Sequence, residues 1–443
     1  MHRLRARALV ATIACLVVAL TAPTALGATK FRPRIANGLG LAPTLSMQDQ
    51  PDLAAGQLQT PVTYHGGAVM SGGVTVHTIF WTGGTNQFNP APGNGALSYT
   101  ALIQQFFSDM AAASTGTTAG GATDCTNDTN PCSVFSTLPQ WGFETNVDNP
   151  NGTPPARNRG ANTINYSTVG GTNTGNLTVT GDSIVDADPY PGQANQCASP
   201  QQTAICITDQ EVQDEVDSVI TQTSGARGLH NLWYVFLPGG VDECIVAGAC
   251  GTNAFGGYHS LSNLGNGVTI YAITPDLSIE SRNVFEPGKD PEGNPDAELA
   301  IDVAAHETEE AMTDPEGVGY MDPNGFEVAD KCENGPQIGT VLGNAGPDHA
   351  PFNQVINGHD YLLQEMWAND PGGGAVPACV QTTQVADPPG LPLPQVDLTQ
   401  FSNTVTGNIG SANSNVTVTV TLKRGGHPVA SSHTGTQDPT DGN

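Results

Sequence analysis

Val74-Thr75-Val76-His77-Thr78-Ile79-Phe80-Trp81 is the stretch from which the fold can be read. β-Branched and aromatic residues fill it and Gly83-Gly84 closes it. Over residues 99–113 the apolar side chains Leu102, Ile103, Phe106, Phe107 and Met110 then recur at helical spacing. A strand therefore leads into an amphipathic helix. The pattern returns downstream as a helix over 209–223, a continuous apolar run over 232–237 of the kind buried on both faces, and a short strand over 268–273. Such alternation predicts an α/β or α+β domain, a mixed β-sheet with flanking helices.

Outward from this core the texture changes. Residues 114–200 are rich in Gly, Thr, Asn and Pro and read as long loops stapled by disulfides. Residues 28–60 carry scattered prolines without periodicity, as a propeptide or surface-hugging arm would. The domain proper is expected over 61–385. Residues 386–396 hold four prolines and form a semi-rigid linker. Beyond it, strict alternation over 416–422, a turn at Arg424-Gly425-Gly426 and a return over 429–432 predict a hairpin. With so few strands, 397–443 is expected to be a partial β-sandwich of Ig-like type.

The N-terminus points to export. Arg3, Arg5 and Arg7 precede an apolar run over 8–20, and Ala25-Leu26-Gly27 supplies small residues for cleavage, so 1–27 reads as a secretory signal. That run is shorter than the roughly 20 residues that cross a bilayer. The expected location is secreted, extracellular, with no membrane association after signal removal. With 14 Lys+Arg against 42 Asp+Glu in 443 residues, the formal charge of −28 excludes a nucleic-acid binder, which needs clustered cations. Cys15 leaves with the signal, and the eight remaining cysteines are expected to pair locally: Cys125–Cys132, Cys197–Cys206, Cys244–Cys250 and Cys332–Cys379. No C-x-x-C occurs, which disfavours a metal–thiolate site.

Chemistry is concentrated in residues 296–315. Asp296 is a plausible N-cap, good helix formers follow, and Pro315 stops the helix. His306 and Glu310, four apart, share one face, with Glu307 beside them. In an H-E-x-x-H helix this spacing places two ligands on a metal and leaves the glutamate to deprotonate a bound water. Here the motif is H-E-x-x-E, with His306 and Glu310 as ligands, Glu307 as general base, and Glu327 or Asp330 as the third ligand. Asp302, one turn before His306, is the expected acceptor for its other ring nitrogen. The bland alternative is a helix of solvated acids beside one histidine. His65 and His259, each beside an aromatic residue and glycines, are candidates for a pocket wall.

Together, Val62-Thr63-Tyr64-His65-Gly66-Gly67 leading to Val74–Trp81, Ala305-His306-Glu307-Thr308-Glu309-Glu310-Ala311-Met312-Thr313-Asp314-Pro315 and Glu327-Val328-Ala329-Asp330-Lys331-Cys332 resemble the Exordium, or phosphate-induced, protein family over about residues 61–385. The resemblance implies an extracellular, cell-wall-linked protein in which His306, Glu307, Glu310, Glu327 and Asp330 form one site. It departs at Thr308-Glu309, where relatives are less acidic, and the extra charge of Glu309 is expected to face water. Two functions compete. One is a secreted metalloprotein with a zincin-like helix that hydrolyses peptides. The other is a non-catalytic module that binds cell-wall or matrix material. Zn2+ is expected, and because one imidazole with two carboxylates is a harder donor set than the two imidazoles of most zinc peptidases, zinc affinity should be lower and Ca2+ or Mn2+ are the alternatives.

Overall fold

The computed structural model describes residues 60–381 apart from internal stretches, the longest being 116–132, 145–156 and 279–290, together with Gly40–Ala42 and four short strands between 417 and 436. β1 (Gly40–Ala42) and β2 (Thr63–Tyr64) precede β3 (Gly72–Trp81), the strand expected from residues 74–81. α1 (Tyr99–Thr115) follows, as its periodicity requires. Next come β4 (Phe143–Glu144), β5 (Arg157–Asn158), β6 (Ala161–Tyr166), β7 (Leu177–Thr180), β8 (Ser183–Asp186) and β9 (Ile205–Thr208). α2 (Asp209–Thr223) starts at a reciprocal capping box between Thr208 and Glu211. The chain then forms β10 (Asn231–Phe236), β11 (Val241–Val246), β12 (Ala249–Cys250), β13 (Gly257–Ser262), β14 (Thr269–Thr274), α3 (Pro295–Thr313) and β15 (Tyr320–Met321).

The main sheet runs β1-β13-β14-β10-β3-β8-β7, with β6 paired beside the first half of β3 and β8 beside its second half. β14, β10, β3 and β8 are mutually parallel, whereas at one end β13 is antiparallel to β14 and β1 antiparallel to β13, and at the other end β7 is antiparallel to β8. Both faces are covered. Leu232, Tyr234 and Phe236 pack with α1 and α3, while the alternating Trp233 and Val235 pack with Val212, Val216, Val219 and Ile220 of α2. Covering both faces accounts for the unbroken apolar run in β10. A smaller sheet, β12-β11-β9, adjoins α2.

Three expectations are corrected. Residues 114–200 are not simply loops, since they contribute β6, β7 and β8 to the main sheet and a 3-10 turn at Val134–Gln140. These strands of four to six residues hold Asn, Thr and Ser, so their strand character comes from pairing, of β6 and β8 with β3 and of β7 with β8, rather than from their own pattern. The helix cap is Asn294, whose side chain accepts from Ala297 N–H at 3.4 Å with Pro295 in the first turn; Asp296 lies inside the helix. Near the C-terminus, Thr417–Val420 pairs with His433–Thr436, not with 429–432, and encloses an inner pair of Lys423–Arg424 with His427–Pro428.

Cys197–Cys206, Cys244–Cys250 and Cys332–Cys379 lie at disulfide-bonding distance, with Cα separations of 5.6, 4.0 and 5.6 Å. The expected Cys125–Cys132 pair, the signal segment 1–27 and the linker 386–396 lie outside the described residues. Among the described residues no helix is long and apolar enough to cross a membrane.

Two consequences can be measured. Closing a loop with a sequence separation of 47 is worth about 4 kcal/mol in the chain-entropy model. Replacing both Cys332 and Cys379 by Ser should therefore lower unfolding stability by about 2–4 kcal/mol in urea titrations. The second consequence concerns Asp186, at the end of β8, and Glu215 of α2. Their carboxylate oxygens and that of Asp188 lie within 4.8 Å of one another. Burial, then the Asp186 charge, push Glu215 up to about 9, and burial pushes Asp186 up to about 6. Between the ordinary carboxyl value of 4.5 and about 9 the unfolded chain binds fewer protons than the folded one, so stability falls as pH rises. Glu215→Gln should flatten that decline between pH 5 and 9; an unchanged slope would contradict the assignment.

Candidate metal centre

α3 is buried on nearly every side, and its small residues allow the close approach: Ala297, Ala300, Ala304, Ala305 and Ala311 have no exposure. Across from it, a Cβ added to Gly257 of β13 would lie 2.5 Å from Val303 Cγ1, so only glycine lets the strand pack this near. Two residues on, β13 brings His259 over Glu307, with Nδ1 3.0 Å from Glu307 Oε2. The His259 Nε2 atom is 3.1 Å from the carbonyl of Asp314 and 3.6 Å from Glu327 Oε1.

His306 is held differently. Its Nδ1 is 3.0 Å from Gln364 Oε1, and Gln364 Nε2 donates to the Ala329 carbonyl at 3.1 Å, which fixes the orientation of the amide. Gln364 thus replaces Asp302 as the acceptor for His306. Asp302 instead accepts the backbone N–H of Gln364 at 2.7 Å and so positions the residue that orients the ring. His306 Nε2 faces Glu310 Oε2 at 3.2 Å. The other oxygen, Glu310 Oε1, accepts from the backbone N–H groups of Ala329 at 3.1 Å and Asp330 at 2.9 Å, drawing the 327–330 segment against α3.

Two ligand-competent groups result, and Glu310 belongs to both. Ligand atoms of His306, Glu310 and Asp330 lie within 4.8 Å of one another, as do those of His259, Glu310 and Glu327. All four residues expected as ligands are therefore together, joined by His259, for which the sequence suggested only a pocket wall. His65 is not part of this assembly: directly after β2, its Nε2 lies 3.1 Å from the Met321 carbonyl of β15 and 3.2 Å from Thr63 Oγ1.

Burial sets the electrostatics. His259, Glu307, Glu310 and Asp314 are fully buried, and Glu327 and Asp330 are only 5% and 7% exposed. Burial, reinforced by the charges of Glu310 and Asp314, holds the Glu327 carboxyl well above the usual range. Burial raises Asp314 to about 7 although the Gly319 N–H favours its ionised form. Glu310 is the exception: burial would raise it, but the charge and hydrogen bond of His306 outweigh that and lower it. For His259 burial would lower the ring, and the hydrogen bond and charge of Glu307 reverse this. Glu309, expected in water, is fully buried and accepts from Thr137 Oγ1, because the turn Val134–Gln140 covers that side of α3. Burial and the Glu310 charge push its carboxyl well up.

The chain matches no protein-family model, no curated protein and no solved structure. The site must be judged on its own chemistry. Its donors are imidazole nitrogens and carboxylate oxygens, a set suited to Zn2+ or Mn2+, and to Ca2+ where oxygens dominate.

The double role of Glu310 can be separated by substitution. In chelator-containing buffer, Glu310→Gln keeps an oxygen for the two N–H donors, whereas Glu310→Ala leaves both without that acceptor at about 1–3 kcal/mol each. The alanine variant should be at least about 2 kcal/mol less stable than the glutamine variant. Equal urea midpoints would show that the carboxylate does not anchor the 327–330 segment.

Proposed function

We propose that the chain is a secreted metalloprotein whose α3 centre holds a divalent ion. The observation that carries this reading is the pairing of His306 with Glu310. Because Nδ1–H is committed to Gln364 Oε1, the Nε2 position that faces Glu310 Oε2 at 3.2 Å carries either a proton or a metal ion. The ring orientation is that of a metal-ligating histidine whose second nitrogen is held by an outer acceptor. His306, Glu310 and Asp330 would hold the ion, and His259 with Glu327 stand ready at the other side of Glu310. Each of the two groups offers one imidazole and two carboxylates, so Zn2+ stands as the proposed ion with Mn2+ and Ca2+ as the alternatives.

Bound there, such an ion would polarise a carbonyl or lower the pKa of a water, and the reaction class this supports is peptide hydrolysis. The part given to Glu307 changes from the motif-based expectation. Its Oε2 is bonded to His259 Nδ1, so its first task is to orient that ring, and it serves as a base only when His259 releases it. The zincin-like description of α3, the Ig-like reading of the C-terminal strands and kinship with the Exordium family belong to this same proposal, as does export through residues 1–27. One observation favours the non-catalytic alternative, a module binding cell-wall or matrix material: every side chain of the cluster is 7% exposed or less, as in a structural metal site.

Metal analysis of the purified mature chain decides between them. Stoichiometric zinc, lost in His306→Ala and bound roughly 10–100-fold more weakly in Gln364→Leu, is the expected result. Calcium would favour the binding module. A chain that takes up no metal would overturn the proposal.

A further inference from the structure

β13 is the outermost full strand at one end of the main sheet, and α3 with its cluster lies directly against it. Among the described residues the outer edge of β13 is paired over three positions, with Gly40 opposite His259, Leu41 opposite Tyr258 and Ala42 opposite Gly257, antiparallel. These residues, β1, also pack against α3. They come from ahead of the domain: residues 43–62 intervene before β2 begins at Thr63. Pro43, which has no N–H to donate to a ladder, follows Ala42 directly in sequence.

A sheet edge offers a row of N–H and C=O groups that any extended chain can pair with, whatever its side chains. Recognition by added strands works this way, with main-chain bonds giving affinity and the alternate positions giving selectivity. In register with His259 stands a glycine, so the strand that lies here presents bare backbone to the residue whose ring bonds Glu307 and approaches Glu327. Cross-strand neighbours sit about 4.5–5.5 Å apart at Cα, which places that backbone beside the cluster.

We propose that the outer edge of β13 is a binding site for an extended polypeptide running antiparallel to it, and that Gly40–Ala42 is its intramolecular occupant. The substrate class of the α3 centre is then an unfolded or extended peptide with a small residue opposite His259, and Gly40–Ala42 occupies the edge in cis. This rests on the metal-centre reading for its chemistry, but the docking of the strand does not need the metal.

The test uses the full mature chain with a protease recognition sequence inserted between Gln50 and Pro51. A fluorescent peptide of residues 36–46 is titrated before and after cutting and removal of the freed segment, with metal content and thermal unfolding read on the same samples. The cut protein should bind the peptide saturably and at least tenfold more tightly than the uncut one. A peptide carrying Leu41→Pro should lose at least tenfold of that affinity, and the same substitution in the uncut chain should admit the normal peptide without cutting. Failure of the folded, cut protein to bind overturns the proposal, and so does unfolding on cutting, which would make β1 an ordinary structural strand. Metal-loaded protein that does not bind the peptide sinks this inference alone, whereas peptide binding by a chain that takes up no metal sinks the metal-centre reading alone.

Discussion

The Glu310 carboxylate joins two parts of the chain that are distant in sequence. One oxygen ties the Ala329 and Asp330 backbone to α3, and the other meets His306. Around it, Glu307, Asp314, Glu327 and Asp330 are also buried, against the two imidazoles of His259 and His306. Lys331 does not balance them: its ammonium is 3.2 Å from Asp322 and 4.3 Å over the Trp367 ring. Buried carboxylates in such excess persist only by taking up protons or a cation. The raised Glu327 and Asp314 carboxyls are the proton solution, and the divalent ion we propose between His306 and Glu310 would be the other.

The rest of the domain serves to put this charge where water cannot dilute it. Parallel strands β10, β3 and β14 make a sheet covered on both faces, and the alanines of α3 let a helix bearing five consecutive polar residues, His306 to Glu310, settle into the interior. Gly257 brings the antiparallel strand β13 to the same helix, so that His259 enters from the sheet while Gln364 enters from the opposite segment. The Cys332–Cys379 pair lies two residues beyond Asp330 and secures the far end of that loop.

What could be read from the sequence was what short-range pattern encodes. The helix carrying His306, Glu307 and Glu310, the strands over 74–81 and 232–237, and α2 all follow from local periodicity, and the return of Glu327 and Asp330 to the helix followed from their chemistry near the motif. What escaped depends on pairing and long-range contact. His259 sits in Gly-Tyr-His-Ser-Leu-Ser, where nothing local says the ring faces a helix 48 residues later. Gln364 carries no charge and no motif, yet it replaces Asp302 as the partner of His306. Glu309 looked solvated because the turn that buries it lies in a Gly- and Thr-rich region read as loop. β1 has three residues and no alternation, so only the edge it pairs with makes it a strand.

The central claim is that His306 Nε2 and Glu310 Oε2 share a metal ion. Anomalous diffraction from crystals of the mature chain, collected on either side of the zinc absorption edge, addresses it directly. The account predicts a single strong peak roughly 2.0–2.2 Å from both atoms, with the His306 Nδ1–Gln364 hydrogen bond intact. A map with no anomalous peak at this helix after soaking in zinc, and His306 donating through Nε2 to Glu310 as in a plain ion pair, would contradict it.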